Sequence, residues 1–316
     1  MNYIVLDLEW NQPLDVSQRV SNLPVEIIEI GAVKLDSDKN RIDEFSRLIK
    51  PIVYKELNPN IRQVTHFCEE DLERGDDFET VIADFIVWCG DDFTIGTWGT
   101  SDLIELHRNL EYHKNKYLGP GNYKYYDIQK LFSLDTEGKK NPRTLEMAVD
   151  YYKIEKKDDF HRALYDARYT AEVFKRLRPE IVETYYSLDL FYNPQKRSDE
   201  IFIDYKTYTK FVSKEYRTKK EIFRRKKIRE VRCPECEKRT TKIFGWFGTG
   251  NGKNYTAVFQ CSKHGKIKSK IRINKTYHNE NVYATKIVKF IDEEEALHIK
   301  EKYLKIKERT EKKKES

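Results

Sequence analysis

Four carboxylic acids and one histidine are spaced so that a fold could gather them around one divalent-metal site. Asp7 and Glu9 stand inside the apolar run "YIVLDLEW", residues 3–10. Side chains on a strand alternate faces, so these two acids share one face about 6.5 Å apart, while Ile4, Leu6 and Leu8 take the other. Buried charges without partners cost several kcal/mol each, so two anions in a core strand need a reason. Asp102 follows the apolar stretch "FTIGTWGT", 93–100, at the start of an expected helix, where strand ends commonly place functional groups. Its plainer reading is an acid that complements the dipole of a first helical turn. Asp166 lies in "FHRALYDARYTAEVF", 160–174, on a helical face with the small residues Ala163, Ala167 and Thr170. His161 is five residues earlier, about 140° away on a continuous helix, so it reaches the same site only by preceding the helix and leaning back. Four carboxylates near one point could not stay ionised unassisted, since two unit charges at 4 Å repel by about 4 kcal/mol at an effective dielectric of 20. Hard oxygen donors of this kind suit Mg²⁺ or Mn²⁺.

A second constellation uses different donors. Cys233-Pro-Glu-Cys236 and Cys261-Ser-Lys-His264 form a C-x₂-C…C-x₂-H pattern with 24 residues between its halves. Thiolates and imidazole at this spacing fit one structural Zn²⁺ in a zinc-ribbon-like module, the alternative being chance clustering. The basic surroundings, with Trp246, Phe247 and Tyr255, point to single-stranded nucleic acid held by stacking and phosphate contacts. A protein-docking or purely structural ribbon is the competing reading.

These groups need elements to position them. Strands are expected at the N-terminus, at 25–35 (with Gly31 marking a bulge or a close approach) and at 44–51, ended by Pro51. A helix over 77–90, a strand over 93–99, a helix over 101–114 capped by Ser101, strand then helix over 123–132, and helices over 143–154 and 163–177 follow. Three strands and then alternating elements indicate a mixed α/β sheet. Residues 181–232 read as a connector: from Lys206 to Arg232 there are twelve basic and three acidic residues, interleaved with aromatics. The expected organisation is 1–180 α/β domain, 181–232 connector, 233–291 small β-rich zinc module and 292–316 charged tail, helical or disordered.

Charge divides the same way. Residues 1–180 carry 25 Lys and Arg against 34 Asp and Glu, whereas 181–316 carry 34 against 19. Such asymmetry suggests a nucleic-acid-binding half, against a merely solvated basic tail. The five cysteines suggest no disulfide framework, with Cys68 and Cys89 read as small packing residues. No run of eighteen apolar residues and no signal-peptide pattern is present, so no membrane partner and a cytoplasmic location are expected.

The blocks "VLDLEW", "GTWGTSDLIEL" and "HRALYDA", in this order, resemble the DEDDh family of 3′–5′ exonucleases, with an RNase H-like fold over about residues 1–180. "EIIEIGAV", "FCEEDL" and "YDIQKLF" also fall where that family places similar text. Trp98-Gly99 before Asp102 is most similar to the Eri/KapD-type branch. The resemblance implies that Asp7, Glu9, Asp102 and Asp166 hold two metal ions and that His161 is the general base. It further implies release of nucleoside 5′-monophosphates from a 3′ end, with RNA ahead of DNA. Trp10 stands where many relatives have Thr, near the terminal nucleotide, so it is a candidate substrate contact. The rival reading is a non-catalytic regulatory or docking module, which the intact set of five site residues disfavours.

Overall fold

The computed structural model describes residues 1–115, 124–136, 143–248 and 250–315, with side chains described as far as residue 309. Tyr123, at the start of the expected 123–132 segment, lies outside the described residues, as does Thr249 in the glycine-rich stretch. The chain divides into two units, Met1–Leu190 and Phe191–Ser316.

The first unit is built on a six-stranded mixed sheet. Its strands are β1 (Asn2–Asn11), β2 (Glu26–Leu35), β3 (Arg41–Leu48), β4 (Phe93–Thr97), β5 (Lys124–Asp127) and β6 (Ser187–Leu188), in the order β3-β2-β1-β4-β5-β6. β1, β2 and β3 are antiparallel, while β4 and β5 run parallel to β1. Alternation along β1 feeds two cores. Ile4, Leu6 and Leu8 pack under helices Phe78–Cys89 and Ser101–Tyr112. Val5 faces the opposite layer, formed by helices Ile128–Asp135, Leu145–Tyr151 and Ala163–Arg176. Asp7 and Glu9 continue the Val5 side of the strand, as period two requires. Two local expectations are corrected. The third strand ends at Leu48 rather than Pro51, and Thr100, not Ser101, precedes the first turn of its helix.

Gly31 marks a close approach; the irregularities in the β1–β2 and β2–β3 pairings fall elsewhere. It sits opposite Asp7 in register, and the helix Ala163–Arg176 lies directly on it. A Cβ at Gly31 would stand 2.0 Å from the Leu164 nitrogen and 2.1 Å from the Ala163 carbonyl carbon. Both are backbone atoms, so no rotamer change relieves the overlap. The small face foreseen on this helix is indeed buried, with Ala163, Ala167 and Thr170 all at 0% exposure. Gly31→Ala is therefore expected to cost at least about 3 kcal/mol, the upper end of ordinary overpacking. Thermal unfolding should record this as a fall of roughly 6–12 °C in the Tm of the first unit. A Tm within a degree or two of the wild type would show that the helix can lift without penalty.

The second unit has its own sheet: β7 (Ile201–Asp204), β8 (Thr209–Val212), β9 (Thr241–Gly248), β10 (Asn254–Cys261), β11 (Gly265–Lys275) and β12 (Val282–Phe290). The order is β7-β8-β12-β11-β10-β9, antiparallel throughout. The segment expected as a connector is thereby corrected. Residues 201–212 supply two strands of this sheet, and the short helices Lys219–Arg224 and Lys226–Arg229 bury Ile222 and Ile228 in its core. Nine of the twelve basic residues between 206 and 232 are exposed on the solvent side of these elements. The tail is helical over Glu293–Glu315, and Ile299 from it packs on Phe247 and Val258. None of the helices among the described residues is long and apolar enough to cross a membrane.

Candidate active site and metal centre

The open carboxyl end of β1 gathers the acids. β4 pairs with β1 only as far as Val5, and the helix carrying Asp102 begins beyond that point. On the other side, the contact at Gly31 brings the helix carrying Asp166 down beside Asp7. Carboxylate oxygens of Asp7, Glu9 and Asp166 lie within 4.8 Å of one another. Asp102, only 5% exposed, borders this group; after burial, its charge is the largest influence on the Asp7 carboxyl. His161 precedes the helix with φ +69°, and its backbone N–H donates to Asp166 Oδ2 at 3.1 Å. The left-handed residue turns the chain just ahead of the helix, which is how a histidine five residues away reaches the same carboxylate. Its side chain is exposed.

Electrostatics show what such a cluster lacks. Withdrawal from water, then the neighbouring acids, raise the Asp7 pKa well above the usual carboxylate range. Glu9 is pushed up to about 8 by burial, then by Asp166, Glu29 and Asp102. Burial takes Asp102 to about 7 against the opposing pull of the backbone N–H groups of Asp102 and Leu8. Asp166 reaches about 6, again through burial, moderated by His161. Asp166 Oδ1 is buried and has no hydrogen-bond partner among the described residues. A buried acceptor without a donor, inside a group of mutually repelling carboxylates, fits cation binding. The chemistry of this donor set therefore suits Mg²⁺ or Mn²⁺ held by Asp7, Glu9, Asp166 and Asp102.

These raised values carry a sign for stability. In the unfolded chain such acids titrate near 4, so between about pH 4 and 8 the metal-free folded state holds protons that the unfolded state has released. Stability from these groups is present at low pH and is lost as pH rises through their folded values. The Tm in EDTA should thus fall from about pH 5 to 9, and Mg²⁺ or Mn²⁺ should restore most at the alkaline end. A flat profile with no metal-dependent gain would exclude cation binding by these acids.

Two residues of this site escaped sequence reasoning. Glu29, 1% exposed, lies opposite Glu9 in the β1–β2 register. It accepts from Arg162 Nη2 at 2.9 Å and Nε at 3.3 Å, and from the Ala163 N–H at 3.0 Å. Glu29 thus serves as the cap that Arg162, at the N-cap position, does not provide with its own side chain. Arg162 lies 4.5 Å from the Phe67 ring centroid, and its charge lowers the pKa of Glu9. The available signal was a carboxylate inside the otherwise apolar stretch 27–33 of β2.

The other candidates part ways. Cys233, Cys236, Cys261 and His264 place one donor atom each within 4.8 Å of the rest. Cys236 and Cys261 Sγ are 3.8 Å apart, and Cys233 Sγ is 3.3 Å from His264 Nδ1. Tetrahedral zinc with bonds of about 2.3 Å holds its sulfur ligands about 3.8 Å apart, so this geometry fits the ion. Backbone N–H groups of Lys263 and His264 bring the Cys261 thiol down to about 6, towards the thiolate a metal needs. Phe247 as a stacking platform is corrected. It is 7% exposed, with its ring 5.4 Å from that of Tyr303 on the C-terminal helix. Trp246 is half-buried between two apolar clusters and donates its indole N–H to the Arg229 carbonyl at 3.1 Å. Trp10 is half-buried against the core containing Leu6 and Leu8, on the side of β1 away from the acids. Cys89 is a core residue, whereas Cys68 caps a short helix and contacts Asp71 at 3.0 Å.

Comparison with known proteins bears on the first unit. DNA polymerase III PolC-type from Staphylococcus haemolyticus (strain JCSC1435) is 28% identical over 182 residues, covering 57% of this chain and 12% of that protein. The chain therefore spans about an eighth of the length of the curated relatives it matches. Among solved structures, the nuclease domain of 3′hExo, described as a DEDDh family member bound to rAMP, aligns at TM-score 0.48 and 21% identity. That alignment covers 56% of this chain and 94% of that one. A full-length 3′-exonuclease aligns at TM-score 0.48 and 19% identity, covering 55% of this chain and 59% of that one. The RNase_T family model, described as "Exonuclease", matches residues 4–174. Because that match takes in more than half of the chain and all four clustered acids, the chain belongs to the exonuclease family.

Proposed function

We propose that this protein is a metal-dependent 3′–5′ exonuclease releasing nucleoside 5′-monophosphates from single-stranded nucleic acid, with RNA preferred over DNA. The observation that carries the reading is the convergence of Asp7, Glu9 and Asp166 within 4.8 Å beside the exposed His161. Two Mg²⁺ or Mn²⁺ ions bound by Asp7, Glu9, Asp102 and Asp166 would supply Lewis-acid stabilisation of the attacking and leaving oxygens. The chain's own residues supply position and proton transfer. His161, open to solvent at the edge of the acids, takes the proton of the attacking water as general base. Asp166 holds the main chain of His161 through the 3.1 Å hydrogen bond, so that one carboxylate serves the metal site and the base together. Glu29 and Arg162 tie β2 to the start of the same helix and keep both in place.

The RNA preference rests on the Trp98-Gly99 resemblance to the Eri/KapD-type branch. Trp10, whose side chain packs against the core on the far side of β1, is set aside as a contact of the terminal nucleotide. In the second unit, one zinc ion on Cys233, Cys236, Cys261 and His264 would stabilise the module. All five thiols are free, which supports a reducing, cytoplasmic setting. End-labelled single strands of RNA and DNA, incubated in parallel with Mg²⁺ or EDTA, test the reading. Mononucleotides should appear with Mg²⁺ only, and faster from RNA. Intact strands under all conditions would leave the domain as a non-catalytic module.

A further inference from the structure

The second unit contains a cavity that hydrolysis leaves without a use. It is about 440 Å³, within the usual range of ligand sites, and opens beside Cys233 and Pro234. Its floor follows from sheet register. Phe202, Phe211 and Lys286 are successive cross-strand neighbours on β7, β8 and β12. Residues directly opposite one another across antiparallel strands share a face, so two phenyl rings and an ammonium form one row.

The row differs from ordinary core in two respects. Phe202 is 64% exposed on an edge strand, although it is among the larger apolar side chains of the unit. Lys286 is only 6% exposed, yet it carries an ammonium. That group donates to the carbonyls of Lys227 at 2.9 Å and Glu230 at 2.5 Å. An ammonium has three N–H donors, so one is left for an acceptor in the cavity. Lys227 and Arg232, both exposed, stand at the rim. The Lys227 ammonium lies 4.3 Å from the Phe211 ring centroid, which leaves Phe202 as the open ring.

We propose that this cavity holds one unpaired nucleotide of a single-stranded nucleic acid. The base stacks on Phe202, Lys286 donates to a carbonyl or phosphate oxygen, and Lys227 and Arg232 hold the adjoining backbone. The proposal rests on the nucleolytic reading of the first unit and moves the stacking role from Trp246 and Phe247 to Phe202. Asp204, Glu230 and Glu237 also border the cavity. These carboxylates repel a purely anionic ligand such as an acidic peptide, but accept from the exocyclic amines of a base. The surrounding unit, residues 191–316, carries 34 Lys and Arg against 17 Asp and Glu, which favours a polyanionic strand overall.

The test uses the zinc-loaded full chain carrying Asp166→Asn, without chelator or added Mg²⁺, so that no strand is cut and the module keeps its ion. A labelled oligocytidylate, whose base has both an exocyclic amine and a carbonyl, is followed by fluorescence anisotropy. Phe202→Ala should weaken binding about tenfold, within the range for one stacked base, and Phe202→Trp should restore it. Lys227→Ala combined with Arg232→Ala should flatten the dependence of affinity on salt. These side chains are exposed, and an unchanged Tm in each variant confirms the fold. Wild-type affinity in Phe202→Ala would overturn the proposal. So would a loss confined to binding of a labelled polyglutamate, which would assign the cavity to acidic peptide. Cleavage of a dinucleotide by the wild-type chain in Mg²⁺, measured separately, reports on the nucleolytic reading. Its absence would sink that reading and leave the binding result to judge the cavity.

Discussion

Asp166→Asn should remove nearly all cleavage, by at least about 10³-fold, while leaving the fold intact; losses of this order accompany removal of one member of a catalytic unit. Asparagine is isosteric and keeps an oxygen to accept the His161 N–H, so the turn before the helix need not change. Burial already works against the charged form of Asp166, lifting its pKa to about 6, and the neighbouring acids gain when that charge disappears. The metal-free variant should therefore be at least as stable as the wild type. What is lost is an anionic oxygen directed at the site, the same Oδ1 that has no hydrogen-bond partner among the described residues. Single-turnover cleavage with saturating Mg²⁺ and Mn²⁺, beside a melting curve in EDTA, separates the two effects. Near-wild-type turnover would remove Asp166 from the metal site.

His161→Ala should slow the chemical step by about 10²–10⁴-fold, the usual contribution of a general base, with little change in substrate affinity. The backbone complicates this substitution. His161 has φ +69°, a conformation that histidine and asparagine adopt more readily than alanine. His161→Asn preserves that tolerance and still removes the base, so the two variants together distinguish lost proton transfer from a displaced turn. Equal loss of kcat in both, with KM held, identifies the imidazole as the base. Activity retained in His161→Asn but lost in His161→Ala would make residue 161 a positioning residue. The base would then lie elsewhere.

The donor sets of both proposed metal sites were legible in the sequence because they rest largely on local geometry. The period of a strand puts Asp7 and Glu9 on one face wherever that strand is placed, and a C-x₂-C turn presents two thiolates together in almost any fold. The same holds for the small helical face of Ala163, Ala167 and Thr170, which matches close packing on a sheet. Residues whose roles depend on distant chain segments were hidden. Glu29 caps a helix 134 residues away, and nothing near Glu29 in sequence marks its partner. Gly31 is narrow because that helix lands on it, not because of its own backbone. Phe247 looked like an exposed ring beside lysines until Ile299 and Tyr303 covered it. The basic stretch 206–232 read as a connector because charge outweighs apolar pattern there. Yet β8 finds its partner in β12, more than seventy residues later, and that pairing makes the stretch part of a sheet. Phe202, Phe211 and Lys286 become a row only through those two registers. Register is set by which faces the assembled core must bury, and that is decided between segments far apart in the chain.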